Sequence, residues 1–348
     1  MASARAYDLT KVLKIPEWFV YCGVFKNVLS VDMTRQKDSS GVARKSVWLK
    51  IRIIGGPLMI LFLQQTLTGI CVGLAYAMIA MGLILLLRAA GVMNFAQGNL
   101  MALGAFLAYL FLGKYQLNMG LAILLAVLVL VLVGTVFCCV CFFPFKRAKW
   151  PQAMLICTIG AGTVISECCL CFITTETKSV DPIVAGSLHI GSFIIPYQYF
   201  FIFSVTDIMM LGLWLLFDKA YCGKIMSAAA QNKYAADLLG IPTNLTTMLT
   251  FCIVVLMVGA AGWLLAPVYR VSNSLSIFQA RAFAALIIGG FGSLPGAIVG
   301  GIVVGLIESY STYFTTTYKD VVVFGALLLV LAVRPQGILG SKIKKDKA

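Results

Sequence analysis

Apolar and polar stretches alternate along this chain on the length scale of a bilayer. A helix needs roughly 20 apolar residues to cross the hydrocarbon of a membrane, and runs of about that length recur from Ile51 to Val333. Residues 51–87 are apolar almost throughout. That is about enough for two spans, or for one span and a half-helix, with Gly55-Gly56-Pro57 and Gly69 as the candidate breaks. Gly120–Phe143, Ala153–Ile173, Tyr199–Phe217 and Thr246–Val268 each read as one span, and Ala297–Ser309 and Val321–Val333 close the series. In lipid every backbone N–H and C=O must find a partner inside the protein, which selects helices. The pattern predicts an all-α polytopic membrane protein with about eight to ten transmembrane or half-membrane helices.

Two polar breaks interrupt this pattern in opposite halves of the chain. The first, Arg88–Asn99, contains Asn94-Phe95-Ala96-Gln97; the second, Arg270–Arg281, contains Asn273 and Phe278-Gln279-Ala280. Short helices rich in small residues follow both. Polar backbone at membrane depth cannot face lipid, so each break lines a cavity or is buried against protein. Paired interrupted helices point to an inverted repeat with a path near the midplane. Carboxamides and freed backbone amides can hold a zwitterion, and the positive ends of half-helices favour a carboxylate. Asn94, Gln97, Gly98, Asn99, Asn273 and Gln279 are therefore the candidate pathway residues. The same carboxamides can instead cap helix ends. Glu167 and Glu308 lie within apolar runs, where a carboxylate is costly and a functional candidate, although each sits near a span end or among hydroxyls. Arg270 and Arg281 are expected to pair with external acids or to sit at the interface. Gly69 and Gly73, Gly292, Gly296 and Gly300, and Gly301 and Gly305 are spaced by four, which suits close helix contacts.

Composition agrees with the pattern. Of 348 residues 61% are hydrophobic and only 11% charged, against roughly a quarter charged in a soluble domain. The formal charge is +14, and its placement matters more than its sum. Ten of the 27 Lys and Arg residues precede Gly55, and further ones cluster at Lys146, Arg147 and Lys149, at Lys219, Lys224 and Lys233, and at Lys342, Lys344, Lys345 and Lys347. Basic residues beside spans stay on the cytoplasmic side. This divides the chain into a basic cytoplasmic or interfacial segment over 1–50, a transmembrane domain over 51–340 with a cytoplasmic loop at 218–245, and a basic cytoplasmic tail over 341–348, with both termini inside. Ile15–Ser30 is too short to span and suits an interfacial helix. No cleavable signal peptide is evident. No folded basic domain offers itself to nucleic acid. The eleven cysteines read as small apolar packing residues. With one histidine, His189, there is no metal-ligand set and no catalytic triad. No phosphate-binding Gly-rich loop occurs, so ATP is not expected to bind this chain. The composition therefore indicates a transporter rather than an enzyme, with no cofactor of its own.

The longest polar segment between apolar ones is Gly223–Pro242. Its interior, Ser227–Leu239, is Ala-rich and helix-prone. Gly240 and Pro242 stop that helix. A short helix with small residues on one side, lying beneath a bilayer, suits docking on a soluble partner.

This loop resembles the coupling loop of ABC transporter permeases: alanines, an acidic residue, then Leu-Leu-Gly-Ile. Ala228, Ala229, Asp237, Leu238, Leu239 and Gly240 carry the resemblance, whereas Gln231-Asn232-Lys233 stands where an earlier acidic residue is usual. Phe62–Phe106, with FLQQ, GLAYAMIAMG and NFAQG, resembles the opening of branched-chain amino acid ABC permeases. Phe283–Gly301, FAALIIGGFGSLPGAIVGG, and Arg334–Gly340, RPQGILG, resemble their end. Gln97 replaces the histidine usual after Asn-Phe-Ala, and Ala153–Phe217 matches least. The resemblance covers about residues 62–340. It implies a bacterial inner-membrane importer subunit for branched-chain or other apolar amino acids, or for urea and short amides in a sister branch. It also implies partners: ABC ATPase subunits that bind the ATP, a second permease subunit, homologous or identical, and a periplasmic or lipid-anchored substrate-binding protein. The competing reading is an ion-coupled secondary transporter working alone, with Glu167 or Glu308 titrating.

Overall fold

A computed structural model of the chain describes residues 36–37, 43–44, 55–91, 93–145, 152–190, 193–231, 233–314 and 317–340. Apart from a two-residue antiparallel pair, β1 (Gln36–Lys37) with β2 (Ala43–Arg44), the expected interfacial segment lies outside these residues, as does the basic tail. The helices are α1 (Gly55–Ala90), α2 (Gln97–Ala108), α3 (Met119–Phe137) and α4 (Gln152–Phe172). After a hairpin of β3 (Ser187–Ile190) and β4 (Phe193–Pro196) come α5 (Tyr197–Asp218), α6 (Tyr221–Gln231) and α7 (Lys233–Leu238). The chain continues through α8 (Thr243–Tyr269), α9 (Phe278–Gly289), α10 (Leu294–Phe314) and α11 (Lys319–Val333). Six of these helices, α1, α3, α4, α5, α8 and α10, are long and apolar enough to cross a membrane.

The first apolar stretch is one helix rather than a hairpin. Gly55-Gly56-Pro57 opens the first turn of α1, where a proline's missing N–H is not needed. Gly69 does not break the helix. It lets α1 press on α10: a Cβ there would lie 3.0 Å from the carbonyl oxygen of Gly305. Gly73 does the same, 2.7 Å from Gly301 O. Because α1 crosses once, its start and its end lie at opposite ends of the bundle. Arg88, at its last turn, donates to the Gly292 carbonyl and shares one cavity wall with Trp214 of α5, Leu294 and Leu339. That end therefore also carries α6, α7 and the segment after α11.

The helices fall into two repeats of similar element order, α1–α4 and α8–α11, on either side of α5–α7. Each consists of a long helix, a 12-residue α-helix (α2 running on as a π-helix, Tyr109–Lys114) and two further helices. The repeats interlock crosswise. The long helix α1 packs on α9 and α10 of the other repeat, and α8 packs on α2 and α3. The core is the α1–α2–α8–α9–α10 cluster, with Tyr76, Phe106, Phe251 and Met78 fully enclosed. The strand pair β3–β4 is an element that the helical pattern does not reveal. It pairs Leu188 with Ile195 in the loop before α5.

Candidate functional site

The two polar breaks meet. Gly98 is the second residue of α2, so its N–H has no partner within its own helix. Gln279, the second residue of α9, supplies one through Oε1 at 2.8 Å. A Cβ on Gly98 would lie 2.8 Å from the Gln279 Cβ, so this close approach requires glycine. Asn94 folds its Oδ1 onto the N–H of Ala96 at 2.9 Å, a local turn. Its Nδ2 is buried and unpartnered among the described residues. Gln97 is fully buried. With its amide assigned in the orientation that satisfies both neighbours, its nitrogen donates to Ile79 O at 2.9 Å and its oxygen accepts from Leu83 N at 3.2 Å. It thus clasps one rung of the α1 backbone ladder.

Helix α4 joins both breaks. Thr158 Oγ1 accepts from Phe95 N at 3.4 Å, and Ser166 Oγ donates to Asn273 Oδ1 at the start of a 3₁₀ turn, Asn273–Ile277. Asn99 lies against Gly162, where a Cβ would sit 2.6 Å from its Nδ2. The six sequence-derived pathway residues therefore gather where α1, α2, α4 and α9 converge. In this conformation the carboxamides of Gln97, Asn273 and Gln279 bond to the protein itself. They line none of the three cavities described here, which lie at the Arg88 end (about 380 Å³), in an apolar groove between α3, α5 and α8 (about 300 Å³), and beside Glu308 (about 160 Å³).

A buried charge cluster stands at the opposite end from Arg88. The Arg281 guanidinium bonds Glu308 of α10 and, at 2.7 Å, Asp320 of α11. Tyr76 of α1 donates to the second oxygen of Glu308 and accepts from Arg281 at 3.2 Å. Lys319 stands 3.6 Å from Glu308. The Arg281 guanidinium also lies 5.6 Å from the centroid of the Phe278 ring, a cation–π contact. The cavity beside Glu308 is bordered by Gln65, Thr68, Ser309 and Lys319. Arg281 thus reaches two acids, Asp320 at the start of α11 and Glu308 within α10. Glu167, by contrast, is exposed on α4. In the loop before the hairpin, Lys178 beside it holds the Glu176 carboxyl below its ordinary range. That pair is fully solvated and stabilises little.

The polar loop after α5 is helical over its described residues, Tyr221–Gln231 (α6) and Lys233–Leu238 (α7), and so begins its helix earlier than expected, at Tyr221. Gly223, Met226 and Ala229 face the bundle, and Ala228 faces out. The end of α7 is a Schellman cap: Ile241 N–H reaches Ala236 O at 3.0 Å, Gly240 N–H reaches Asp237 O at 3.1 Å, and Gly240 has φ +77°. Thr243 Oγ1 donates to Asp237 at 2.6 Å, which ties the cap to α8. Leu238 and Leu239 are left 72% and 81% exposed, a prominent apolar pair at that end of the bundle.

Sequence reasoning missed Tyr76, whose hydroxyl is invisible inside an apolar run, and Thr158 and Ser166, which read as ordinary span residues. It also missed Asp207, which lies midway along α5.

The family described as the permease component of the branched-chain amino acid transport system matches residues 65–332. The high-affinity branched-chain amino acid transport system permease protein BraD of Pseudomonas aeruginosa is 32% identical over 295 residues, which is 80% of this chain and 96% of that protein. The Escherichia coli permease protein LivH, described in the same words, is 32% identical over 301 residues with the same coverage. A probable branched-chain amino acid transport permease protein of Methanocaldococcus jannaschii is 26% identical, covering 78% of this chain and 90% of its own. Among solved structures, PsaBC from Streptococcus pneumoniae in complex with Fab superposes with a TM-score of 0.46 at 13% identity, covering 81% of this chain and 95% of that one. The chain belongs to the family of branched-chain amino acid transport system permease components.

Proposed function

We propose that this chain is the membrane-spanning permease subunit of an ABC importer for branched-chain or other apolar amino acids. A separate ATPase docks on α6 and α7 and drives it, and a binding protein delivers the substrate on the other side. The family membership supports the class. The observation that carries the mechanism is the Gly98–Gln279 junction, where the half-helices of the two repeats meet within the bundle. A path that opens and closes needs such a seam, because two short helices can part without unravelling a full span. Asn94, with an amide group buried and unpaired, is the residue here that gains a partner when the seam rearranges. The exposed Leu238–Leu239 pair offers an ATPase an apolar anchor at the end of a capped helix. We place that end, with the basic 145–150 loop and the C-terminal tail, on the cytoplasmic side. The 1–50 segment then reaches the cytoplasm only if it crosses once more before Gly55.

The test is reconstitution in nanodiscs or vesicles with the ATPase and the binding protein. Leucine-loaded binding protein should stimulate ATP hydrolysis, and labelled leucine uptake should cease when the ATPase cannot hydrolyse ATP. Leucine uptake without any ATPase would overturn the reading in favour of an ion-coupled carrier. Stimulation by urea in place of leucine would move the substrate to the short amides.

A further inference from the structure

Helices α3 and α8 meet closely towards one end and have a groove between them towards the other. At the end that carries α6 and α7, Gly134 of α3 lies against α8, where a Cβ would stand 3.0 Å from the Cys252 Cα. Leu130 then fills the notch at Gly259, its methyl carbons 2.6 Å from where a Cβ would be. Beyond Leu130 a groove of about 300 Å³ lies between α3, α5 and α8. It is walled by Met119, Ile123 and Val127 of α3, by Val205 of α5, and by Ala260 and Trp263 of α8. On α5 the lining residues Phe201, Val205 and Met209 recur at every fourth position, one stripe of the helix. Asp207 is not on that stripe. The Trp263 indole N–H is the one polar side-chain group in the lining.

The groove has the depth of one leaflet. From Met119, the first residue of α3, to Leu130 is about 16 Å of helix, roughly half of a hydrocarbon core of about 30 Å. On α8 the groove stops at Leu256, the middle of that 27-residue helix. Its mouth is open, with Met119 38% and Ile123 42% exposed. Size and lining decide what can enter. A helix of that length, about 10 Å across, would take up roughly 1,300 Å³. A membrane-spanning partner would also cross both leaflets, whereas the groove ends at mid-depth. An extended peptide is thinner, but each of its N–H and C=O groups needs a partner, and the lining offers the Trp263 indole alone. Water does not settle where polar partners are lacking. Hydrocarbon needs none, and it restores the contacts that bare walls would forfeit.

We propose that this groove is a lipid site, filled by one acyl chain of a phospholipid from the leaflet away from the Arg88 end. The chain takes the place of side chains in holding α3 to α5 and α8. The exposed Lys114, Tyr115 and Asn118 precede α3 in the chain and so lie at the headgroup end of the groove, where tyrosine rings and basic groups meet the polar surface of the bilayer. The transport reading above makes no use of this surface, so the two stand or fall separately.

Two measurements on the complete transporter test this. In the first, cells are grown with a fatty acid that carries a photo-activated diazirine at mid-chain. The transporter is isolated in mild detergent, washed free of loosely held lipid and irradiated. Peptide mapping should find lipid adducts at Ile123, Val127 or Val205 in about tenfold excess over the outward-facing Leu132 and Leu328, as a held chain exceeds exchanging ones. Absence of adducts from the groove overturns the proposal and leaves the groove to a protein segment. An equal yield at the two controls overturns it as well. In the second, the thermal midpoint is followed as lipid is stripped with a harsher detergent and phosphatidylglycerol is added back. The unaltered protein should lose midpoint and regain it. Val127→Phe and Ala260→Phe each place a ring where the acyl chain lies. They should lose the Ile123 adduct, and lipid should shift their midpoints less than half as far. If both variants keep that adduct, or respond to lipid like the unaltered protein, the chain lies elsewhere and the proposal fails. Should neither variant fold, the adduct map of the unaltered protein decides.

Discussion

Arg281 and Glu308 form an ion pair in the membrane-spanning body, each side chain only 5% exposed. The pair joins α9, the half-helix of the second repeat, to α10. Through Tyr76 and Asp320 it also reaches α1 and α11. The desolvation of two such charges offsets most of their attraction, so the intact pair is a modest source of stability. Breaking one side is a different matter, because it strands the other charge.

Arg281→Leu or Glu308→Gln should therefore lower unfolding stability by about 3–5 kcal/mol. The measurement is the thermal midpoint of the purified protein in detergent. The double change Arg281→Met with Glu308→Leu should recover much of the loss. If each single variant melts like the unaltered protein, the pair is not holding α9 in place.

A close helix crossing gives a second prediction. Gly104 of α2 presses on Gly259 of α8, where an added Cβ would lie 2.6 Å from a carbonyl carbon, and Gly262 presses on Met101 in the same way, at 2.8 Å. Backbone atoms cannot yield as a side chain can. Gly104→Ala or Gly262→Ala should cost about 1–3 kcal/mol as overpacking and reduce the amount of folded protein in the membrane. Gly325→Ala on α11, which meets nothing within 4 Å, should be neutral or slightly stabilising.

Much of this architecture is legible in the chain, for a physical reason. Span lengths and the two polar breaks follow from what a bilayer forbids, and those constraints act on local sequence. Asn94, Gln97 and Gln279 stand out because carboxamides are rare at such depth. What joins them is not legible. That Gln279 completes α2, or that Tyr76 meets Glu308, depends on residues from opposite repeats, and a hydroxyl in an apolar run carries no sign of its partner. That α1 is a single helix is hidden in the sequence for a related reason. Glycine marks both breaks and close contacts, and only the neighbouring α10 decides which. Asp207 was passed over because one carboxyl in a long span does little to the average on which a span is recognised.

Gln279→Ala leaves the Gly98 N–H without its acceptor in a buried seam. The cost should be about 1–3 kcal/mol, seen as a lower thermal midpoint, together with altered leucine-stimulated ATP hydrolysis. Gln279→Glu keeps an acceptor and should lose less stability. If neither variant changes either measurement, the junction of the two breaks has no part in transport.

Leu239→Asp should leave the subunit folded and in the membrane, because that side chain is 81% exposed. Co-purification of the ATPase should fall several-fold, and uptake with it. Gly240→Val acts differently. Its φ of +77° is strained for a branched side chain, at roughly 1–2 kcal/mol, so it should loosen the cap itself. Unchanged ATPase recovery with Leu239→Asp would move the docking surface elsewhere.

The crosswise interlocking of the repeats also sets a timetable for biogenesis. The half-helix α2 finds its main cover on α8, so it emerges from the ribosome long before that cover exists. The chain between Ala108 and Thr243 must be made first, which takes on the order of ten seconds at usual synthesis rates. Throughout that interval the Gly98 N–H, whose acceptor Gln279 comes later still, and the buried Asn94 amide need shelter from lipid that this polypeptide has not yet built. A nascent chain arrested before α8 is thus expected to remain beside the insertion machinery rather than move off into the bilayer, and residence at the translocon becomes a property encoded by the fold.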